Sequence, residues 1–153
     1  LIEVKNLKKS FHDGIFSKSS SKDVIAVDNV SFNIKEGESF GLVGESGSGK
    51  STIAKMIVNL FKPTSGEIYF DKVCINKIRD KNVMLKFRRQ IQMIFQDPYS
   101  SLNSRMKVYD IIAEPIRLHN TLIKDHELKD YINNLLESVE LTKKSAERYP
   151  HEF

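Results

Sequence analysis

The chain has 153 residues, 40 % hydrophobic and 29 % charged, with a formal net charge of +4. That length and composition fit a folded domain with a real core and disfavour disorder, and the mild positive charge fits an anionic ligand or acidic membrane surface without requiring either. Cys74 is the only cysteine, which excludes an internal disulfide and disfavours a thiolate zinc site.

No apolar run approaches the roughly 20 residues of a membrane-spanning helix. Leu1-Ile2-Glu3-Val4 opens directly in strand-like alternation, without a basic-then-apolar signal pattern. A protein of the cytosol, or one held on the cytosolic face of a membrane, is expected. The first residue is not Met, a hint that this is a piece of a longer protein.

Ile2 to Leu7 alternate apolar and polar, as a half-buried strand does. Lys8 to Asp23 is polar, with the run Ser17-Lys18-Ser19-Ser20-Ser21, and reads as an exposed loop or hairpin tip. Val24 to Ile34 returns to strand character. Glu36-Gly37-Glu38 is a turn, and Ser39 to Val43 is a short apolar strand of the buried parallel type. A Gly-rich loop follows, then helical spacing from Ser51 to Phe61 through Ile53, Met56, Ile57 and Leu60. Pro63-Thr64-Ser65-Gly66 ends that helix, and Glu67 to Ile75 reads as one strand. Lys77 to Gln90 is charged and predicts a short helix, and Ile91 to Phe95 an apolar strand. After Pro98 the texture changes: Val108 to His119 and His126 to Leu141 are amphipathic helices with no strand between them. A boundary is therefore expected near residue 98, dividing 1–97 from 98–153.

The strongest chemical signal is Gly44-Glu45-Ser46-Gly47-Ser48-Gly49-Lys50-Ser51, which matches G-x-x-x-x-G-K-[ST] between an apolar strand and a helix. The glycines permit backbone conformations closed to other residues and let main-chain N–H groups approach phosphate. Those groups and the helix start, through Thr52, make a cationic concavity. Lys50 can place its ammonium between the β- and γ-phosphates, and the Ser51 hydroxyl suits Mg²⁺.

Several families share such a loop. A guanine-reading N-K-x-D motif is approached by Asn76-Lys77-Ile78-Arg79-Asp80, but the acid comes one residue late and too soon after the loop. More specific is Gln92-Met93-Ile94-Phe95-Gln96-Asp97-Pro98, an apolar segment delivering a Gln followed by Asp-Pro. It resembles the Q-loop of ABC-type ATPases, and Val43 to Thr52 resembles the same family's Walker A. Ala26-Val27-Asp28-Asn29-Val30-Ser31-Phe32, Gln96-Asp97-Pro98-Tyr99-Ser100-Ser101-Leu102-Asn103, Ile111-Ile112-Ala113-Glu114-Pro115 and Arg148-Tyr149-Pro150-His151-Glu152-Phe153 look like the oligopeptide/dipeptide importer subgroup. The similarity covers essentially the whole chain. Ser48 stands where many members of that subgroup have Cys.

The resemblance implies an α/β fold: a P-loop NTPase core of ABC type, with an N-terminal antiparallel β subdomain and the start of a helical subdomain. It implies ATP and Mg²⁺ as ligands, with Phe11 stacking on adenine, residues Gly44 to Thr52 holding phosphate, and Gln96 reaching Mg²⁺ or the attacking water. The bland alternatives are a core Phe11 ending the first strand, and a Gln96 that merely ends a strand with Asp97 opening a turn before Pro98. His12, His119, His126 and His151 lack metal-ligand spacing, and Lys86, Arg88 and Arg89 read as a solvated face.

The signature Ser-Gly-Gly-Gln, an apolar strand ending in Asp-Glu and a later switch His are absent. The expectation is an incomplete site, with no complete catalytic set in the chain. Implied partners are transmembrane permease subunits, a second ATP-binding subunit and, indirectly, a solute-binding protein, with no nucleic acid. Alternatives are a soluble ABC-type ATPase acting on nucleic acid or ribosomes, and a non-catalytic ATP-binding module.

Overall fold

A computed structural model describes residues 1–12, 23–119 and 123–153. The Ser-rich stretch expected as a hairpin tip lies outside the described residues. The rest divides into two units, Leu1–Gln92 and Met93–Phe153.

In the first unit, strands β1 (Ile2–His12), β2 (Asp23–Ile34), β3 (Ser65–Phe70) and β4 (Val73–Cys74) form one antiparallel sheet in the order β2-β1-β3-β4. Ile2 faces Ile34 on one side and Phe70 on the other, which places β1 at the centre. The simple alternation read at Ile2 to Leu7 breaks at Asn6, whose φ is 47°. Val4 and Leu7, three apart, are consequently both buried. Ser31 Oγ accepts from Asn6 N at 2.8 Å and ties the bulge to β2.

Helix α1 (Lys50–Ile57) buries Ile53 and Met56, spaced i and i+3, against Val4, Leu7, Val27 and Ile68. Each such side chain contributes on the order of 1.5–3 kcal/mol by leaving water. The helix is shorter than the periodicity to Phe61 implies. Asn59 takes a left-handed φ of 57°, and Lys55 O accepts from Leu60 N and Phe61 N, so the chain turns out of the helix.

The segment read as one strand from Glu67 to Ile75 is a hairpin. Asp71 and Lys72 both have positive φ, 47° and 68°, the two-residue turn whose twist suits antiparallel strands. Ile75–Lys77 then makes a short 3₁₀ turn. Helix α2 (Lys81–Gln90) starts later than Lys77 because Asp80 caps it: Asp80 Oδ1 accepts from Asn82 N at 2.7 Å and Val83 N at 3.3 Å. Asn76 accepts from Ile68 N and donates to Gly66 O. Both ends of the near-miss guanine motif are thus engaged in holding the hairpin and starting α2.

Two expected strands are absent. Residues 39–44 and 91–95 carry no strand in the described chain. Val43 is 93 % and Ile94 89 % exposed. A strand of the buried parallel type needs neighbours on both edges and layers on both faces, and no described strand pairs with either segment.

In the second unit, helices α3 (Val108–His119) and α4 (Asp125–Ser138) lie where the periodicity places them, within a few residues. Ala113 packs with Leu128, Ile132 and Leu136, an i, i+4, i+8 stripe of α4, and with Ala146 of the 3₁₀ turn Lys143–Glu147. Val108 N donates to Arg148 O at 2.9 Å, and Lys107 pairs with Glu147 at 2.7 Å, fastening the start of α3 to the closing segment.

Candidate functional site

The loop 41–48 is exposed and lies immediately before α1. Gly47 and Gly49 have φ of 83° and 91°. A Cβ on Gly49 would stand 2.2 Å from Ala26 O, so the loop's last turn presses directly on the backbone of β2. One on Gly44 would meet Ser48 Oγ at 2.8 Å. Glycine is therefore required at Gly49 for two reasons, conformation and space.

Gly49 is the N-cap of α1, and Ile53 N donates to Gly49 O at 2.9 Å. The N–H groups of Lys50, Ser51 and Thr52 precede that bond, and helix geometry gives them no intrahelical acceptor. Ser51 is exposed and Thr52 half-buried at this helix start. Glu45 and Ser46 lie in the turn, closed by a bond from Ser48 N to Glu45 O at 3.2 Å. Oriented amides, exposed hydroxyls and a lysine gathered at one helix start can hold a polyphosphate.

The Lys50 ammonium folds back over the loop. It donates to Gly44 O at 2.7 Å, Glu45 O at 2.5 Å and Ser48 Oγ at 3.2 Å. Nothing in the residue pattern foretold this position, because it depends on the curvature of the loop rather than on residue type.

Phe11, near the end of β1, is 39 % exposed rather than a core residue. Its ring meets Phe61 edge-on at 5.8 Å between centroids, and Lys9 Nζ lies 5.0 Å from its centre. Phe11 faces Val24 of β2 across the ladder. Val24 is two residues, roughly 7 Å of strand, from Ala26, on which Gly49 rests. Phe11 and the support of Gly49 thus lie on the same pair of strands, two residues apart in register. Ala26 itself is the contributor that sequence reading passed over. It acts through a main-chain oxygen, and no residue-type signal marks such a role.

Gln96 belongs to the second unit and is exposed in a bend. Beside it Asp97 does open a turn. Ser100 N donates to Asp97 Oδ1 at 3.2 Å, and Ser100 Oγ donates to Asp97 O at 3.1 Å. Among the described residues no group of three or more His, Cys, Asp or Glu is placed to hold a metal ion. No helix among them is long and apolar enough to cross a membrane.

Comparison with known proteins adds an independent line. The profile of the family described as "ABC transporter" matches residues 27–153. The oligopeptide transport ATP-binding protein OppF of Streptococcus mutans is 51 % identical over all of this chain, which covers 48 % of that relative. OppF of Bacillus subtilis is 45 % identical, again over all of the chain and 48 % of the relative. The chain thus spans about half the length of the curated relatives it matches. Among solved structures, the dimeric ATP-binding cassette MJ0796 bound to ADP and Pi superposes with a TM-score of 0.81 at 30 % identity. That match covers 100 % of this chain and 63 % of the cassette.

Proposed function

The chain belongs to the ABC transporter family, and we propose that it supplies the phosphate-holding part of an ATP-binding subunit that drives uptake of di- or oligopeptides or similar small solutes. The observation that carries this reading is the loop Gly44–Thr52 seated on Ala26 with Lys50 at its centre. Identity to oligopeptide transport ATP-binding proteins along the full chain supports the solute class.

In this reading Gly44, Glu45, Ser46, Gly47, Ser48 and Gly49 turn amides toward the phosphates. Lys50 neutralises the β- and γ-phosphates, and Thr52 extends the cradle at the helix start. Phe11 offers its exposed face to adenine. Ser51 at the helix start is an oxygen donor suited to Mg²⁺, which would offset phosphate charge when bound, and Gln96 is a second candidate donor by the family resemblance alone. The fit rests on the helix start and on the positive φ of Gly47 and Gly49 in the loop before it. Hydrolysis also needs a group that orients or deprotonates water, a role this reading assigns to none of these residues. Residues 1–97 serve the nucleotide and 98–153 begin a helical subdomain facing a transmembrane permease. The partners are that permease, a second ATP-binding subunit and, indirectly, a solute-binding protein, at the cytoplasmic face of the membrane.

The test is peptide uptake by cells carrying Lys50→Ala in the whole subunit. Loss of ATP-driven uptake, with the subunit still present at the membrane with its permease, is the expected result. Undiminished uptake would remove Lys50 from the proposed role, and loss of a different solute's uptake would correct the substrate class.

A further inference from the structure

An ammonium has three N–H donors, and within the loop Lys50 has three acceptors: Gly44 O, Glu45 O and Ser48 Oγ. We propose that Ser48 is a positioning residue that holds Lys50 back on its own loop, so that nucleotide binds by exchanging the Ser48 hydroxyl for a phosphate oxygen. The inference rests on the phosphate-site reading above and names the step by which that site is entered.

The geometry makes Ser48 the contact that gives way. With every donor engaged, the ammonium can reach a phosphate only by releasing an acceptor. The two main-chain carbonyls lie at 2.7 and 2.5 Å, whereas Ser48 Oγ lies at 3.2 Å, the longest and weakest of the set. Of the three acceptors Ser48 Oγ alone is a side-chain atom, so it is the one that sequence can tune. The fold also fixes its position. Ser48 N donates to Glu45 O at 3.2 Å, and the space a Cβ on Gly44 would occupy is closed by Ser48 Oγ at 2.8 Å. The hydroxyl is thus wedged between the start of the loop and the lysine. A thiol at this position accepts only weakly, so serine and cysteine loops differ in how firmly they hold the lysine.

Ser48→Ala and Ser48→Cys in the full chain test this by two readouts. The first is affinity for a fluorescent ATP analogue. The second is the rate at which a small acylating reagent modifies Lys50 without nucleotide, measured by mass spectrometry against Lys55 in the same molecule. Parking opposes binding, so both variants should bind ATP about two- to fivefold more tightly, the worth of one weak, solvent-exposed contact to a charge. Lys50 should also be acylated faster in both, because fewer hydrogen bonds must break before its nitrogen can attack. A loosened fold would weaken binding instead, so the sign separates positioning from a structural role. Variants that bind no more tightly than a wild-type chain that itself binds ATP would overturn the exchange. A Lys50 acylation rate indifferent to residue 48 would overturn it equally. A wild-type chain that binds no ATP would overturn the phosphate-site reading beneath it, a result distinct from failure of the exchange alone.

Discussion

Gly49 shows how much a single position carries. Its φ of 91° lies in the left-handed region, and a Cβ would collide with Ala26 O at 2.2 Å, a main-chain atom unable to swing away. Gly49→Ala should therefore cost at least about 1–3 kcal/mol from conformation alone, with the collision added. It should also displace the loop from β2 and weaken nucleotide binding. Urea denaturation and nucleotide titration of the same variant would measure both, and a Gly49→Ala chain as stable as the parent would contradict the geometry. The residues of the loop were legible in the sequence because their order is tied to backbone conformation and phosphate chemistry. The rest lies in three-dimensional proximity: the carbonyl of Ala26 beneath Gly49, and the fold-back of Lys50 onto Gly44 and Glu45.

At the scale of elements, local rules succeeded where local forces decide. Helices α3 and α4 follow their apolar stripes, whereas the bulge at Asn6 turns Leu7 to the buried side with Val4 and the Asp71-Lys72 turn splits one expected strand into a hairpin. Hairpin β3–β4 also carries a charged cluster. Lys77 donates to Glu67, Tyr69 Oη donates to Glu67 at 2.6 Å, and Lys5 lies over the Tyr69 ring at 4.9 Å. Hydrogen bonds from Lys77 and then Tyr69 hold the Glu67 carboxyl below its ordinary value of 4.5. The hydrogen bond to Glu67 raises Lys77 above 10.5 and Tyr69 above 10.0. A lowered carboxylate contributes stability that is present above its unfolded value and lost as pH falls through the folded one. The raised partners contribute below their unfolded values and lose it as pH rises through the folded ones. Glu67→Gln should therefore flatten stability at both the acid limb below about pH 4.5 and the alkaline limb above about pH 10. The effect should be small, since the cluster is solvated. Thermal melts across pH would show it, and an unchanged profile would mean that water already screens the cluster completely.

At the scale of the whole molecule, the segments that failed to form strands are the informative ones. Phe40, Leu42, Val43, Ile94 and Phe95 have the composition of buried parallel strands, yet all are exposed. Composition was readable, but strand formation depends on partners distant in sequence, which no local pattern can supply. Exposed apolar segments without edge partners favour association. The 153-residue chain made alone should accordingly self-associate, with a sedimentation coefficient that rises with concentration. A monodisperse monomer at tens of micromolar (on the order of a typical in vitro aggregation threshold) would show that these segments are satisfied some other way.

All three scales meet in the claim that the loop Gly44–Thr52 holds nucleotide phosphate. Titration of a fluorescent ATP analogue into dilute chain with Mg²⁺ present, for wild type and Lys50→Ala side by side, tests it most directly. Saturable binding by the wild type, weakened at least about tenfold by removing the lysine charge proposed to face the β- and γ-phosphates, is the result expected for a charge-assisted contact. Equal affinity of the two chains, with Lys50→Ala still folded by circular dichroism, would contradict it.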